Sequence, residues 1–151
     1  MTFLDLTPGE RSPERIAQLT ALWERSVRAT HHFLDEAAIQ AIAPEVPQAL
    51  REVPALTVAL DEEGTPLGFL GVAGHSLEML FLDPDHLGQG LGTQLFRRAM
   101  GQHYIAQITV NEQNQRALDF YLRRSYKVHH RTPTDQQGRP YPLLYLTLSC
   151  Y

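Results

Sequence analysis

The sequence contains one cysteine, Cys150, among 151 residues, so no disulfide within the chain braces the fold. It contains no apolar run near the roughly 20 residues that span a bilayer, and Met1–Asp5 lacks the basic and apolar stretches of a secretory signal. Positive charge is also scarce, since 13 Lys and Arg face 17 Asp and Glu, a net charge of −4. We therefore expect a cytoplasmic protein with no membrane partner and no nucleic-acid partner, because nucleic-acid binders need positive charge to meet phosphates.

The order of apolar patterns and turn residues predicts one mixed α/β domain over residues 1–151, with no internal repeat and no linker. Apolar alternation and apolar runs predict strands at 2–6, 55–60, 67–73, 77–82, 105–110, 127–132 and 143–148. Helical spacing predicts helices from 13 to 30, from 35 to just before Pro44, from 90 to 100 and from 114 to 124, with a further short helical piece over 45–53. Gly101 is expected to end the third of these helices.

The most informative segment is the glycine loop, residues 83–93, which connects a predicted strand to an amphipathic helix. Glycine occupies every second position near its end, at Gly88, Gly90 and Gly92. Glycines allow a ligand to approach the backbone, and a helix N-terminus attracts anions, so the loop predicts a diphosphate site. It is not a P-loop, because no lysine follows Gly92, nor a dinucleotide fingerprint, because Thr93 stands where that motif has glycine. A simple flexible turn that caps the helix is the other interpretation.

A second motif lies on the helix predicted at 114–124. Asn114, Ala117, Leu118 and Tyr121 share one face of that helix, which follows the next strand after the glycine loop. Together the two motifs resemble the GNAT family of acyl-CoA-dependent N-acyltransferases. In that resemblance 89–92 matches the pyrophosphate motif and 114–126 the second motif. It covers at least 77–128, and the segments 29–34, 110–114 and 140–144 are similar to small bacterial members of the YjaB type.

The sequence departs from the family pattern at two places. Leu87 stands where the pyrophosphate motif usually begins with Arg or Gln, and Ser125-Tyr126 replaces the usual Gly-Phe pair. Because backbone amides make most diphosphate contacts in the family, we expect Leu87 to weaken cofactor binding at most. The second change is expected to alter the end of the helix more than the chemistry.

The resemblance implies a GNAT fold, in the mixed α+β class, with a central, mostly antiparallel sheet of six to seven strands and about four flanking helices. It implies an acetyl-CoA-dependent N-acetyltransferase that acts on a primary amine of a small molecule or protein, as a monomer or homodimer. Acetyl-CoA is then the co-substrate, and no metal is required. A catalytically weak, GNAT-like CoA-binding module is the alternative, kept open by Leu87. The excess of acidic over basic residues disfavours a family member that acts on RNA.

By the same resemblance, Tyr121 is the general acid for the leaving thiolate, Asn114 holds the pantetheine arm, and the strand before the glycine loop binds pantetheine and the thioester through its backbone. The predicted cofactor-binding residues are Leu80, Phe81, Leu82, Leu87, Gly88, Gln89, Gly90, Leu91, Gly92, Thr93, Asn114 and Tyr121.

The predicted base is Glu78, which by the two-residue period of a strand shares the face of Leu80 and Leu82. His75 and water are the alternatives, His75 because imidazole titrates near neutrality. Predicted acceptor contacts are His31, Phe33, His75 and Tyr141. No spacing of His, Cys and Asp suggests a metal site.

Overall fold

The computed structural model describes residues 1–149, so Cys150 lies outside the described residues with Tyr151. Seven strands form one sheet in the order β1-β2-β3-β4-β5-β7-β6. Their bounds are β1 Thr2–Leu6, β2 Ala55–Leu60, β3 Pro66–Ala73, β4 Ser76–Leu82, β5 Gln107–Asn111, β6 Tyr126–Thr132 and β7 Leu143–Leu148. All neighbouring strands are antiparallel except β4 and β5, which are parallel. The expected mostly antiparallel sheet of a mixed α+β fold is confirmed.

Five helices flank the sheet within residues 1–149, and two of them have only seven residues. They are α1 Pro13–Thr30, α2 Glu36–Ile42, α3 Val46–Glu52, α4 Leu91–His103 and α5 Gln115–Leu122. The predicted start of α1 is confirmed: the Ser12 side chain accepts a hydrogen bond from the Arg15 amide at 3.1 Å, and Pro13 follows it. None of these helices combines the length and the apolar character that a membrane span requires.

The helices divide into two groups, each covering one face of the sheet with its own apolar core. Helices α1 to α3 pack on one face, where Leu19 and Leu50 are fully buried against Phe69. Helices α4 and α5 pack on the other, where Leu95 and Tyr121 are buried. The sheet is therefore held between two apolar layers.

The gap between β4 and β5 is the feature that positions the site. The two strands pair at Ser76–Gln107 and Leu77–Ile108, and no further pair joins them within residues 1–149. Beyond these pairs the strands diverge, leaving the β4 backbone unpaired on its β5 side. A β-bulge lies at the same point, since Glu78 is an extra residue between the pairs that Leu77 and Met79 make with β3. Strict alternation, on which the orientation of Glu78 was predicted, therefore does not hold through β4.

The predicted end of α4 at Gly101 is wrong, because α4 continues to His103 and its C-cap is Tyr104, which has a left-handed backbone with φ 48°. Glycine tolerates helical as well as left-handed angles, so its presence did not stop the helix. The Nδ1 atom of His75 lies 2.7 Å from the His103 carbonyl oxygen and 3.1 Å from that of Tyr104. His75 thus donates to the free carbonyls at the end of α4.

Ser125, which replaces the glycine of the family pattern, has a left-handed backbone with φ 71°. A side chain in that region costs about 1–2 kcal/mol, so we expect Ser125→Gly to stabilise the protein by about 0.5–1 kcal/mol after the entropy of the unfolded glycine is counted. Urea unfolding of both proteins measures this difference. Ser125→Ala is the control and should give no gain, because alanine keeps the strain; equal stabilisation by both changes would contradict the explanation.

Candidate active site

The glycine loop leads into α4 through two residues with positive φ. Gly88 has φ 77° and Gly90, the N-cap of α4, has φ 83°. A Cβ atom built on either glycine would meet no other atom within 4 Å, so open space faces the loop there. Among the described residues 1–149 no side chain caps α4, so its first backbone amides are free to bind an anion.

A cavity of about 460 Å³ lies beside this loop, and we call it the glycine-loop cavity. It is lined by Ser26, Thr30, His31, Leu80, Phe81, Leu82, Leu87, Gly88, Gly90, Leu91, Gly92, Thr93, Asn114, Arg116, Ala117, Phe120, Tyr121, Arg123 and Arg124. Every predicted cofactor-binding residue except Gln89 therefore lines one cavity. The side-chain Nε2 of Gln89 instead donates to the Asp85 carbonyl oxygen at 3.3 Å, within the loop itself.

A second cavity of about 240 Å³, the sheet-gap cavity, opens where β4 and β5 diverge. It is lined by His31, Leu77, Glu78, Met79, Leu80, Phe81, Thr109, Val110, Asn111, Asn114, Ala117, Tyr121, Asp135, Gln136, Gln137 and Leu143. The two cavities share His31, Leu80, Phe81, Asn114, Ala117 and Tyr121. They therefore meet between β4 and α5, with Tyr121 at the junction.

The two cavities carry opposite charges in the part of the chain that the structure describes. The glycine-loop cavity is lined by Arg116, Arg123 and Arg124 and by no Asp or Glu. The sheet-gap cavity is lined by Glu78 and Asp135 and by no Lys or Arg. An anionic ligand is therefore favoured on one side of Tyr121 and a cationic ligand on the other.

Tyr121 is fixed by aromatic packing and is only 5% exposed. Its ring centroid lies 5.4 Å from that of Phe120, 6.2 Å from that of Phe96 and 6.5 Å from that of Tyr126. Burial, and secondly the neighbouring Tyr126, raise the pKa of Tyr121 above its usual value. Its hydroxyl therefore stays protonated at neutral pH and can donate a hydrogen bond.

Asn114 connects α5 to the end of α1. Its Oδ1 accepts from the Ala117 amide at 3.3 Å, which makes it the N-cap of α5, and its Nδ2 lies 3.4 Å from His31 Nε2. His31 Nδ1 lies 2.8 Å from Thr30 Oγ1, which in turn donates to the Ser26 carbonyl at 2.7 Å. Because the Thr30 hydroxyl donates its proton to Ser26, it can only accept from His31, so His31 Nδ1 is the donor. Nε2 is then unprotonated and accepts from Asn114.

Burial, and secondly the charge of His32, lower the pKa of His31 to about 4. An unfolded histidine has a pKa near 6.5, so between these values the unfolded chain binds the extra proton and stability falls as pH falls. Because of His31, we expect the free energy of unfolding to be about 2 kcal/mol lower at pH 5 than at pH 8.

Urea unfolding at both pH values measures this effect. His31→Gln should remove it, while His129→Gln on exposed β6 should keep the wild-type pH dependence. An unchanged pH dependence in His31→Gln would contradict the assignment.

The remaining predicted acceptor residues lie outside the two cavity walls. The Phe33 ring is 5.3 Å from His31 and 5.9 Å from Tyr141, so these aromatic side chains form a continuous rim beside the junction. Arg139 pairs with Glu45 and lies 3.6 Å from Asp135, which ties the β6–β7 loop to the helical side. His75 lines neither cavity, because it lies in the β3–β4 turn at the end of α4.

Sequence reasoning missed the three arginines of the glycine-loop cavity. Arg123 and Arg124 follow Arg116 by seven and eight residues. That spacing places all three on one side of the helix predicted at 114–124, so the sequence carried a signal for them. Phe120 was missed as well, although it lines the cavity in place of Leu118, which packs into the core. Within residues 1–149, no three His, Cys, Asp or Glu side chains are grouped as metal ligands.

Comparison with known proteins agrees with this geometry. A family model described as an acetyltransferase (GNAT) domain matches residues 20–141. The chain is 41% identical over 129 residues to the peptidyl-lysine N-acetyltransferase YjaB of Salmonella typhimurium, covering 85% of this chain and 88% of that protein. The solution structure of apo YjaB from Escherichia coli has a TM-score of 0.83 at 36% identity, covering 97% of both chains.

A more distant structure shares the fold: the PaiA N-acetyltransferase of Thermoplasma acidophilum in complex with coenzyme A, with a TM-score of 0.68 at 19% identity, covering 96% of this chain and 98% of that one. The chain belongs to the GNAT family of N-acetyltransferases. It is an acetyl-CoA-dependent N-acetyltransferase. Acetyl-CoA is its co-substrate, and the glycine loop with its neighbouring arginines fits that ligand's anionic diphosphate.

Proposed function

We propose that this protein acetylates the ε-amino group of lysine side chains in proteins or peptides. The observation that carries the proposal is the charge of the sheet-gap cavity, which is acidic and adjoins Tyr121, while the glycine-loop cavity is basic. An acidic cavity favours an ammonium group over an anionic or neutral acceptor. The relatives named peptidyl-lysine N-acetyltransferases support the same acceptor.

Glu78 is the proposed base. Asp135 also lines the sheet-gap cavity, but its Oδ1 already accepts from the backbone amides of Gln137 and Arg139 at 3.0 and 2.8 Å. Glu78 makes no hydrogen bond or ion pair with another residue in the range 1–149, so its carboxylate is free to accept the ammonium proton, directly or through water. The amine nitrogen then attacks the acetyl carbonyl carbon as a neutral nucleophile.

Tyr121 is the proposed acid at the other end of the reaction. Bound acetyl-CoA supplies the activated acetyl thioester. As the carbon–sulfur bond breaks, the protonated Tyr121 hydroxyl donates to the sulfur, where the negative charge develops. The unpaired β4 backbone at Leu80–Leu82 and the side chain of Asn114 are proposed to hold the pantetheine arm, since both line the junction or the cavity leading to it.

The proposal is tested by mass spectrometry of lysine-containing peptides incubated with acetyl-CoA and the protein. Acetylation should appear on lysine and not on a matched peptide with arginine in its place. A small primary amine such as butylamine, offered at the same concentration, should react more slowly, because it lacks the peptide that extends from the cavity. Acetylation of the small amine alone would overturn the lysine proposal while leaving the acetyltransferase activity in place.

Replacing the proposed base gives a pH-dependent defect. In Glu78→Gln we expect the rate to fall about tenfold to a hundredfold at neutral pH and to recover partly as pH rises, because more lysine is then already neutral. A pH–rate profile measures this, with Glu62→Gln in the β2–β3 turn as the matched charge control. A wild-type profile in Glu78→Gln would assign proton removal to water, since His75 lies outside both cavities.

A further inference from the structure

A third cavity of about 530 Å³ lies next to the glycine-loop cavity, and we call it the arginine pocket. Its lining residues are Thr93, Phe96, Arg97, Met100, Gly101, Arg123 and Arg124. It shares Thr93, Arg123 and Arg124 with the glycine-loop cavity, so the two are continuous along the surface between α4 and α5. A ligand held at the glycine loop therefore has a direct path into this pocket.

The charge of the arginine pocket is uncompensated. Elsewhere on the protein, arginines such as Arg98 and Arg131 pair with carboxylates at 2.6 and 2.5 Å. No Asp or Glu of the described chain lies within ion-pair distance of Arg97, Arg123 or Arg124 or lines their pocket. In a protein with a net charge of −4, this concentration of unpaired cations favours a bound anion.

Arg124 is also held rigidly in place. Its guanidinium lies 3.4 Å above the Phe120 ring, and its two terminal nitrogens donate to Thr93 Oγ1 at 2.8 Å and to the Phe120 carbonyl oxygen at 2.9 Å. Burial and the charges of Arg123 and Arg97 lower the pKa of Arg124, which shows that the three cations act on one another. An arginine fixed in this way loses little side-chain entropy when an anion binds.

We propose that the arginine pocket is a second phosphate site, which binds the ribose 3′-phosphate of CoA. In CoA this phosphate monoester is separated from the diphosphate by one ribose, which matches a second anion site continuous with the first. The pocket also accounts for the absence of a cation at position 87. The arginines of α4 and of the end of α5 supply positive charge to the cofactor in place of a charged residue in the loop. The protein should therefore distinguish CoA from dephospho-CoA, which lacks only this group.

Isothermal titration calorimetry with CoA and dephospho-CoA, without any acceptor, tests the proposal. We expect the wild type to bind CoA at least about tenfold more tightly than dephospho-CoA, the size of a charge-assisted contact. Arg97→Gln changes the one arginine of this pocket that does not line the glycine-loop cavity, and it should reduce that ratio by about threefold or more while changing the dephospho-CoA affinity less than about twofold. Arg51→Gln, an exposed arginine on α3, makes the same change of charge and should keep the wild-type ratio.

Equal affinity of the wild type for the two ligands would overturn the proposal. So would equal weakening of both ligands by Arg97→Gln, since that arginine would then act on the diphosphate. Arg123 and Arg124 are not used as probes, because both also line the glycine-loop cavity. The measurement involves no lysine acceptor, so its outcome is independent of the proposed substrate.

Discussion

Tyr121→Phe should bind acetyl-CoA normally and turn over about ten- to a thousandfold more slowly than the wild type, a rise of roughly 1.4–4 kcal/mol in the barrier. The change removes one hydroxyl and almost no volume, so the ring packing against Phe96 and Phe120 is kept. What is lost is the only proposed donor to the leaving sulfur. Because the hydroxyl stays protonated across the neutral range, raising the pH should not rescue this variant, in contrast to Glu78→Gln.

Steady-state kinetics at several pH values, together with acetyl-CoA titration, separate the two effects. Tyr126→Phe is the matched control, since Tyr126 belongs to the same aromatic cluster but donates its hydroxyl to the Ile105 carbonyl oxygen at 2.6 Å. It should lose stability and keep its rate per folded molecule. A wild-type rate in Tyr121→Phe would contradict the acid assignment, and a matching loss in Tyr126→Phe would assign the effect to packing.

Local signals in the sequence were sufficient for most of the fold. The bounds of β7 and α1 follow from an apolar strand run and from the Ser12-Pro13 start signal, both of which depend on neighbouring residues alone. Features that depend on distant contacts were not predictable in this way. The bulge at Glu78 is defined by pairing with β3, and the end of α4 is contacted by His75 from the β3–β4 turn.

The same difference between local signals and distant contacts applies to the candidate site. The glycine loop could be predicted because its residues are adjacent in the chain, and the structure adds its positive φ angles. The contact between His31 and Asn114 joins residues 83 positions apart, so no local pattern indicates it. Arg11 is another such case: it is buried without a carboxylate, and its guanidinium donates to backbone carbonyls of Leu6 and Val53.

Gly90→Leu should abolish acetyl-CoA binding while the protein stays folded. Space is open where the Cβ of residue 90 would lie, and Gly90 lines the glycine-loop cavity, so we expect a leucine side chain to occupy space that the diphosphate needs. The backbone strain at φ 83° costs about 1–2 kcal/mol, which is small against the roughly 5–15 kcal/mol that stabilise an ordinary domain. Loss of binding would therefore come from blocked approach of the diphosphate and not from unfolding.

Thermal unfolding with and without acetyl-CoA measures this prediction. A ligand at a hundred times its dissociation constant adds about 2.7 kcal/mol of stability, and in Gly90→Leu this increment should vanish. Gly64→Leu is the matched control, because Gly64 has the same φ of 83° and the same open space at its Cβ but lies in the β2–β3 turn, away from the glycine-loop cavity and the arginine pocket. It should keep the full acetyl-CoA shift. If Gly90→Leu is folded and shows the wild-type shift, the glycine loop does not bind the diphosphate.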